Sequence, residues 1–187
     1  MGYSSVEPRW RRMVGVCGGL IVANGAVVGV IALAGREEVD PVLGLVTLAA
    51  VVATPGVLAL MGLSDRPHLW LAAAIAALPL AFLSFAGLAL APVAVVLTYA
   101  WAKHGVLDGA GPVVPPGVLV PLLVVLQLAA GAALFLSDDH ASWTTADGGG
   151  STSDVITNGE AVLSLGAIAA LLVAGWVLST PRLRRRR

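Results

Sequence analysis

Long apolar runs separated by short polar segments dominate the pattern of this chain. Four of the runs have about the length of one membrane-spanning helix, which is ~20 residues. They cover residues 13–34, 42–63, 117–136 and 161–179. A fifth run, residues 69–102, is much longer than the others. The pattern predicts an all-α bundle embedded in a membrane.

The long run predicts two helices rather than one. A single helix over residues 69–102 would be ~51 Å long at 1.5 Å per residue. Fitting it into a ~30 Å hydrocarbon layer would require a tilt beyond the usual 0–40°. We therefore expect a turn near Gly87, with helices over residues 69–86 and 88–102. Both helices are short, so a re-entrant hairpin that enters only part of the bilayer remains an alternative.

The distribution of basic residues supports the turn. If the run 69–102 crossed the membrane once, four Lys and Arg residues would lie on the side of the N-terminus and seven on the other side. This division is weak, whereas cytoplasmic segments normally carry a clear excess of basic residues. With two crossings, both termini lie on the same side together with ten of the 11 basic residues, namely Arg9, Arg11, Arg12, Arg66, Lys103, Arg182, Arg184, Arg185, Arg186 and Arg187. We therefore predict six transmembrane helices in the cell membrane, with both termini cytoplasmic.

Aromatic residues agree with this topology, because Trp and Tyr prefer the membrane–water interface. The two-crossing arrangement places five of them at the cytoplasmic interface, namely Trp10, Trp70, Tyr99, Trp101 and Trp176.

Composition supports a single membrane domain. Of the 187 residues, 58% are hydrophobic and only 12% are charged, about half the charged fraction of a soluble domain. We expect one domain over residues 1–187, with a flexible acidic external loop at 137–160 and a basic cytoplasmic tail at 180–187. The net charge of zero argues against a nucleic-acid partner. The expected partners are the lipid bilayer and either a second membrane protein or another copy of the chain.

Small residues follow one face of the first and of the last predicted helix. Gly18, Gly25 and Gly29 lie on one side of the first helix, and Gly166, Ala170 and Ala174 form a similar row on the last. Such rows let two helix backbones approach closely in lipid. We expect these two faces to pack against each other within the chain, with self-association as the alternative.

The predicted membrane segments contain no Asp, Glu, Lys, Arg or His. Ionisable residues at such depth usually mark ion paths, proton relays or substrate sites. The two amides, Asn24 and Gln127, can form hydrogen bonds between helices worth ~0.6–2 kcal/mol each. We interpret them as packing residues, and the alternative is a polar contact in the path of a small solute.

Outside the membrane, Asp138, Asp139 and His140 are the strongest candidates for chemistry. A zinc site usually needs three or four ligands, and Glu37, Glu38 and Asp40 could contribute some. Because adjacent side chains rarely converge on one ion, we expect no metal site. Glu160 comes at the start of the last helix, where a carboxylate complements the helix dipole, so we expect a capping role.

No nucleotide-binding, nucleophile-elbow, redox or zinc-protease motif occurs in the sequence. We therefore expect no catalytic residue and no cofactor. The leading hypothesis is a small non-enzymatic membrane protein with an accessory or structural role. The alternative is a small permease or channel-like protein for a neutral or apolar solute, and a third hypothesis is an ectoenzyme that uses Asp138, Asp139 and His140.

Overall fold

The computed structural model describes residues 8–34, 42–64, 66–83, 90–104, 115–135, 140–145, 148–153 and 157–180. This part of the chain forms six helices and one two-stranded hairpin. The elements in chain order are α1 (Pro8–Ala34), α2 (Val42–Met61), α3 (His68–Leu83), α4 (Leu90–His104), α5 (Pro116–Phe135), β1 (His140–Thr145), β2 (Gly148–Ser153) and α6 (Asn158–Leu178).

The prediction of a helical membrane protein is confirmed at the level of helix length and composition. Within the described residues, α1, α2 and α6 are long and apolar enough to cross a membrane. The helices α3 and α4 are also apolar, but they have only 16 and 15 residues.

Helices α1, α5 and α6 begin earlier than the apolar runs because local signals at their N-termini extend them. Both α1 and α5 begin with proline, at Pro8 and Pro116, whose fixed φ and missing N–H suit the first helical position. For α6, Thr157 is the N-cap. The Thr157 backbone N–H donates to Glu160 Oε2 at 2.7 Å, and the Glu160 N–H donates to Thr157 Oγ1 at 3.4 Å. This capping box confirms the role predicted for Glu160.

The chain reverses direction between α3 and α4. Trp101 Nε1, near the end of α4, donates a hydrogen bond to His68 Nδ1, at the first residue of α3, over 3.3 Å. Because the start of one helix meets the end of the next, the two helices are antiparallel. Leu83 and Leu90 bound the connection, and Gly87 itself lies outside the described residues.

Helices α2 and α3 form the centre of the bundle. The α2 helix contacts α1, α3, α5 and α6, and α3 packs against α2, α4 and α5. Most of the described side chains of α3 are buried, including Leu69, Trp70 and a series of alanines. Because alanine side chains are small, three neighbouring helices can approach α3 at once.

The outward sides of α1, α5 and α6 carry large apolar side chains. Several of them are more than half exposed, including Val16, Val30, Val125, Leu163 and Val173. An apolar exterior of this kind is stable when lipid, rather than water, surrounds the bundle.

The segment between α5 and α6 differs from the flexible loop that the sequence led us to expect. Strands β1 and β2 pair in antiparallel register, with His140 opposite Ser153 and Thr145 opposite Gly148. The sequence HASWTT of β1 contains Trp and Thr, which favour strands. The Gly- and Ser-rich sequence of β2 is instead typical of a flexible linker, so composition alone predicts a loop here.

Candidate functional site

The closest helix contact in the bundle is the seam between α1 and α2. A Cβ atom added to Gly25 would lie 2.8 Å from the Ala49 carbonyl oxygen and 2.8 Å from the Ala53 Cβ. A Cβ at Gly29 would lie 2.8 Å from the Ala49 Cβ. These separations are too short for real side chains, so the seam requires glycine at both positions.

The same contact extends toward the end of α2. A Cβ at Gly18 would lie 2.9 Å from Leu60 Cγ, and a Cβ at Gly56 would lie 2.6 Å from the Gly18 carbonyl oxygen. Gly18 and Gly56 therefore face each other across the seam. The small residues Ala49, Ala53 and Gly56 of α2 were missed by our sequence reasoning, although their spacing of four and three residues follows one helix face.

The small residues of α6 do not take part in this seam, which corrects the expected pairing of the first and last helices. A Cβ at Gly166 would meet no atom within 4 Å in the described structure. Ala170 is exposed and Ala174 is half-buried. The α6 helix packs on α5 and α2, where a Cβ at Gly175 would lie 3.3 Å from Leu58 Cδ2. The glycine face of α1 finds its partner in α2 because α2 carries small residues at matching heights.

Gln127 joins α5 to α2 in the centre of the bundle. It is only 4% exposed, and its Nε2 donates to the Val51 carbonyl oxygen at 3.0 Å. In a regular helix that carbonyl accepts from the residue four positions later, which here is Pro55 and has no N–H. Gln127 thus supplies the donor that proline removes. Its Oε1 is buried and has no hydrogen-bond partner among the described residues.

Three buried hydroxyl side chains within the helices donate to backbone carbonyls. Ser164 of α6 donates to the Ala130 oxygen of α5 at 2.8 Å. Thr47 and Thr54 donate to the carbonyls of Leu43 and Ala50, each at 2.7 Å, within α2. Each hydroxyl proton is therefore used inside the protein.

Asn24, the second amide singled out in the sequence, is only half-buried on α1. No hydrogen bond of its amide appears in the described part of the chain. The interhelical hydrogen bond from an amide in this part of the bundle is made by Gln127.

Arginine side chains bind the C-terminal ends of two helices. An Arg11 guanidinium nitrogen donates to the Leu63 carbonyl just beyond α2 at 2.5 Å. Arg66 donates to the Trp176 carbonyl of α6, and its Cζ lies 3.8 Å from the Trp176 ring centroid. Cations at helix C-termini complement the partial negative charge there. Arg66 is only 9% exposed, and this burial lowers its pKa, although arginine remains charged in proteins.

The start of α1 meets the end of α4 at the same end of the bundle. The rings of Trp10 and Tyr99 lie 5.4 Å apart between centroids, and Lys103 Nζ lies 5.3 Å from the Trp10 ring centroid. Together with the His68–Trp101 bond, these contacts gather the starts of α1 and α3 and the ends of α2, α4 and α6. We call this the basic end, after Arg11, Arg66 and Lys103. Trp70 also lies here, fully buried against Gly62.

Comparisons with protein-family models, with curated proteins and with solved structures found no match to this chain. What the protein does must therefore be inferred from its own residues and contacts.

The candidates for metal chemistry lie largely outside the described residues. This applies to Asp138 and Asp139 and to the acidic residues between α1 and α2, namely Glu37, Glu38 and Asp40. His140 is the first residue of β1. Within the described ranges, no group of three or more His, Cys, Asp or Glu residues could hold a metal ion.

Three features therefore define the candidate site, namely the α1–α2 seam, the Gln127 hydrogen bond and the basic end.

Proposed function

We propose that this chain is a multi-pass protein of the cell membrane whose six helices all cross the bilayer, with both termini in the cytoplasm. The antiparallel contacts support alternating crossings. The gathering of Arg11, Arg66 and Lys103 at one end supports the orientation, because cytoplasmic segments carry the excess of basic residues.

The short helices α3 and α4 are consistent with two full crossings. With 16 and 15 residues they span ~24 and ~22 Å at 1.5 Å per residue. Local thinning of the bilayer costs only fractions of a kcal/mol per Å of mismatch.

Within this topology we propose a structural, non-enzymatic role, in which the protein packs in the bilayer beside a larger membrane partner. The observation that carries this proposal is the use of the buried polar groups. Gln127 and Ser164 donate to carbonyls of neighbouring helices, and Thr47 and Thr54 donate within their own helix. The bonds of Gln127 and Ser164 hold neighbouring helices together, and those of Thr47 and Thr54 use the hydroxyl protons inside α2. This favours a packed scaffold over a solute pathway.

A small permease or channel-like protein for a neutral or apolar solute is the second candidate. One observation favours it, because Gln127 Oε1 is a buried acceptor without a partner in the described structure. A neutral solute with a hydrogen-bond donor could bind such an atom during passage.

Affinity purification after extraction in a mild detergent tests the proposed role. We expect a single membrane protein to co-purify in a fixed molar ratio, and to be absent when an untagged chain is expressed at the same level. Purified protein in liposomes should leave the permeability to small neutral solutes unchanged. A solitary monomer that accelerates the flux of such a solute would contradict the structural role and support the permease.

A further inference from the structure

We propose that the outward surface between the start of α1 and the end of α4 binds the headgroup of an anionic phospholipid. This headgroup surface consists of Arg9, Trp10, Tyr99 and Lys103. The inference rests on the membrane placement proposed above, but not on the choice between scaffold and permease.

The first observation is the arrangement of hydrogen-bond donors around one aromatic ring. Lys103 Nζ lies 5.3 Å from the Trp10 ring centroid and Tyr99 packs on the same ring at 5.4 Å. Tyr99 is 57% exposed, and Lys103 is also exposed. Their spacing of four residues places them on one face of α4. An ammonium group and a phenol hydroxyl are therefore available to the same ligand, and both can donate to phosphate oxygens.

The second observation is the additional positive charge from α1. Arg9 is exposed and comes immediately before Trp10 in the first turn of the helix. Arg11, by contrast, already donates to the Leu63 carbonyl. Two exposed cations, Arg9 and Lys103, therefore lie at the start of α1 and the end of α4, which contact each other. The ligand that complements them is an anion.

The third observation points to a lipid rather than a soluble phosphate as the source of this anion. Below Arg9, the same face of α1 continues with Met13, Val16 and Leu20, which are 43%, 62% and 56% exposed. Below Lys103 and Tyr99, α4 continues with Val95, which is 68% exposed. The surface is thus basic and aromatic at its end and apolar toward the middle of the bundle. A phospholipid has the same order of groups, with a phosphate above two acyl chains.

The proposal is tested with full-length protein in nanodiscs that contain equal amounts of phosphatidylglycerol and phosphatidylcholine. Native mass spectrometry then measures the ratio of the two lipids that remain bound. We expect phosphatidylglycerol to be enriched on the wild-type chain. Lys103→Met should reduce this enrichment about fivefold, and the double variant with Arg9→Gln about 25-fold, since each basic side chain contributes ~1 kcal/mol at an anionic surface.

Three comparisons make the result specific. Lys103→Arg keeps the charge and should keep the enrichment. Arg36→Gln removes one positive charge from the sequence between α1 and α2 and should have no effect. An equal loss of enrichment in this variant would mean that only net charge matters and would overturn the site. Excess inorganic phosphate should not displace the lipid, and displacement would show that the surface recognises phosphate alone.

The proposal and the membrane placement fail in different ways. If every variant enters nanodiscs but retains the wild-type lipid ratio, the headgroup surface is wrong and the membrane placement stands. If the wild-type chain does not enter nanodiscs at all, the proposed membrane function is wrong. The near-UV circular dichroism of each variant in phosphatidylcholine alone should match that of the wild type, which separates loss of lipid binding from loss of folding.

Discussion

At the scale of single residues, Gln127 shows how a proline and an amide on different helices depend on each other. Pro55 leaves the Val51 carbonyl without its helical donor, and Gln127 Nε2 provides a replacement at 3.0 Å. In an apolar interior an unpaired carbonyl costs ~1–3 kcal/mol. The pair therefore allows α2 to contain a proline at a buried position without that loss.

We predict that the effects of Gln127→Leu and Pro55→Ala on stability are coupled. Gln127→Leu alone should lower the free energy of unfolding by ~1 kcal/mol, which is within the range measured for interhelical hydrogen bonds in membranes. In the Pro55→Ala background the alanine N–H can donate to the Val51 carbonyl, so Gln127→Leu should lower the free energy of unfolding only slightly. Unfolding of the four proteins in detergent micelles, followed by tryptophan fluorescence, gives the coupling as a double-mutant cycle.

Ser164→Ala is the matched control for this cycle. Ser164 also donates to a carbonyl across helices, that of Ala130, but residue 134 is a leucine that keeps its own N–H. Its effect should therefore be the same with Pro55 or Ala at position 55. Purely additive effects of Gln127→Leu and Pro55→Ala would contradict the proposed dependence.

The sequence indicated some of these residue roles and missed others for a physical reason. Glu160 could be assigned as a cap because a capping box depends on residues only three positions apart. The acceptor of Gln127 could not be assigned, since it depends on which helix lies opposite. Both halves of the signal, Gln127 and the proline in α2, are nevertheless present in the sequence.

At the scale of helices, the α1–α2 seam shows what a pattern of small residues can and cannot predict. The spacing of Gly18, Gly25 and Gly29 defines a face of α1, and that face is buried in the structure. The spacing contains no information about the partner, because α2 and α6 both carry small residues in rows. In the structure the backbone of α1 lies close to Gly56 and Ala53 of α2, so α2 is the partner of this face.

We predict opposite effects for alanine at Gly25 and at Gly166. Gly25→Ala places a methyl group against the Ala49 carbonyl and Ala53, and such overpacking typically costs ~1–3 kcal/mol. At Gly166 the methyl group meets no atom of the described residues within 4 Å, so the higher helix propensity of alanine should stabilise the protein by up to ~1 kcal/mol. Thermal unfolding in the same detergent compares the two variants directly.

A bulkier pair makes this comparison more stringent. Gly25→Leu should prevent α1 from packing on α2, whereas Gly166→Leu should be tolerated at its exposed position. If Gly166→Leu destabilises the protein as much as Gly25→Leu, then α6 uses its small residues in a close contact, and the assignment of the seam to α2 alone is wrong.

At the scale of the whole molecule, the charges and the helix contacts lead to the same arrangement by independent routes. Counting basic residues predicted a turn in the run 69–102, and the contact between His68 and Trp101 makes α3 and α4 antiparallel. The sequence could predict the number of helices because apolar length and basic residues are properties of the linear chain. It could not predict the central position of α2 and α3, which depends on the packing of all neighbours.

The hairpin between α5 and α6, unlike the helices, could not be predicted from the pattern of apolar residues. Strands β1 and β2 are short and polar, and their pairing depends on hydrogen bonds between backbone groups rather than on an apolar face. A search for hydrophobic periodicity therefore has little signal to detect there.

The topology itself is tested by a single cysteine at the turn between α3 and α4. In a Cys17→Ala background, Ala86→Cys or Leu88→Cys is exposed to a thiol reagent that does not cross membranes. Two full crossings place the turn at the outer surface, so we expect the reagent to label the turn cysteine in intact cells.

Ser64→Cys, at an exposed position beside the basic end, is the matched control and should be labelled only after the cells are opened. Protection of the turn cysteine from both sides would instead indicate a re-entrant hairpin, because its tip would remain within the apolar layer. Labelling of Ser64→Cys from outside would reverse the orientation and contradict the cytoplasmic placement of the basic end.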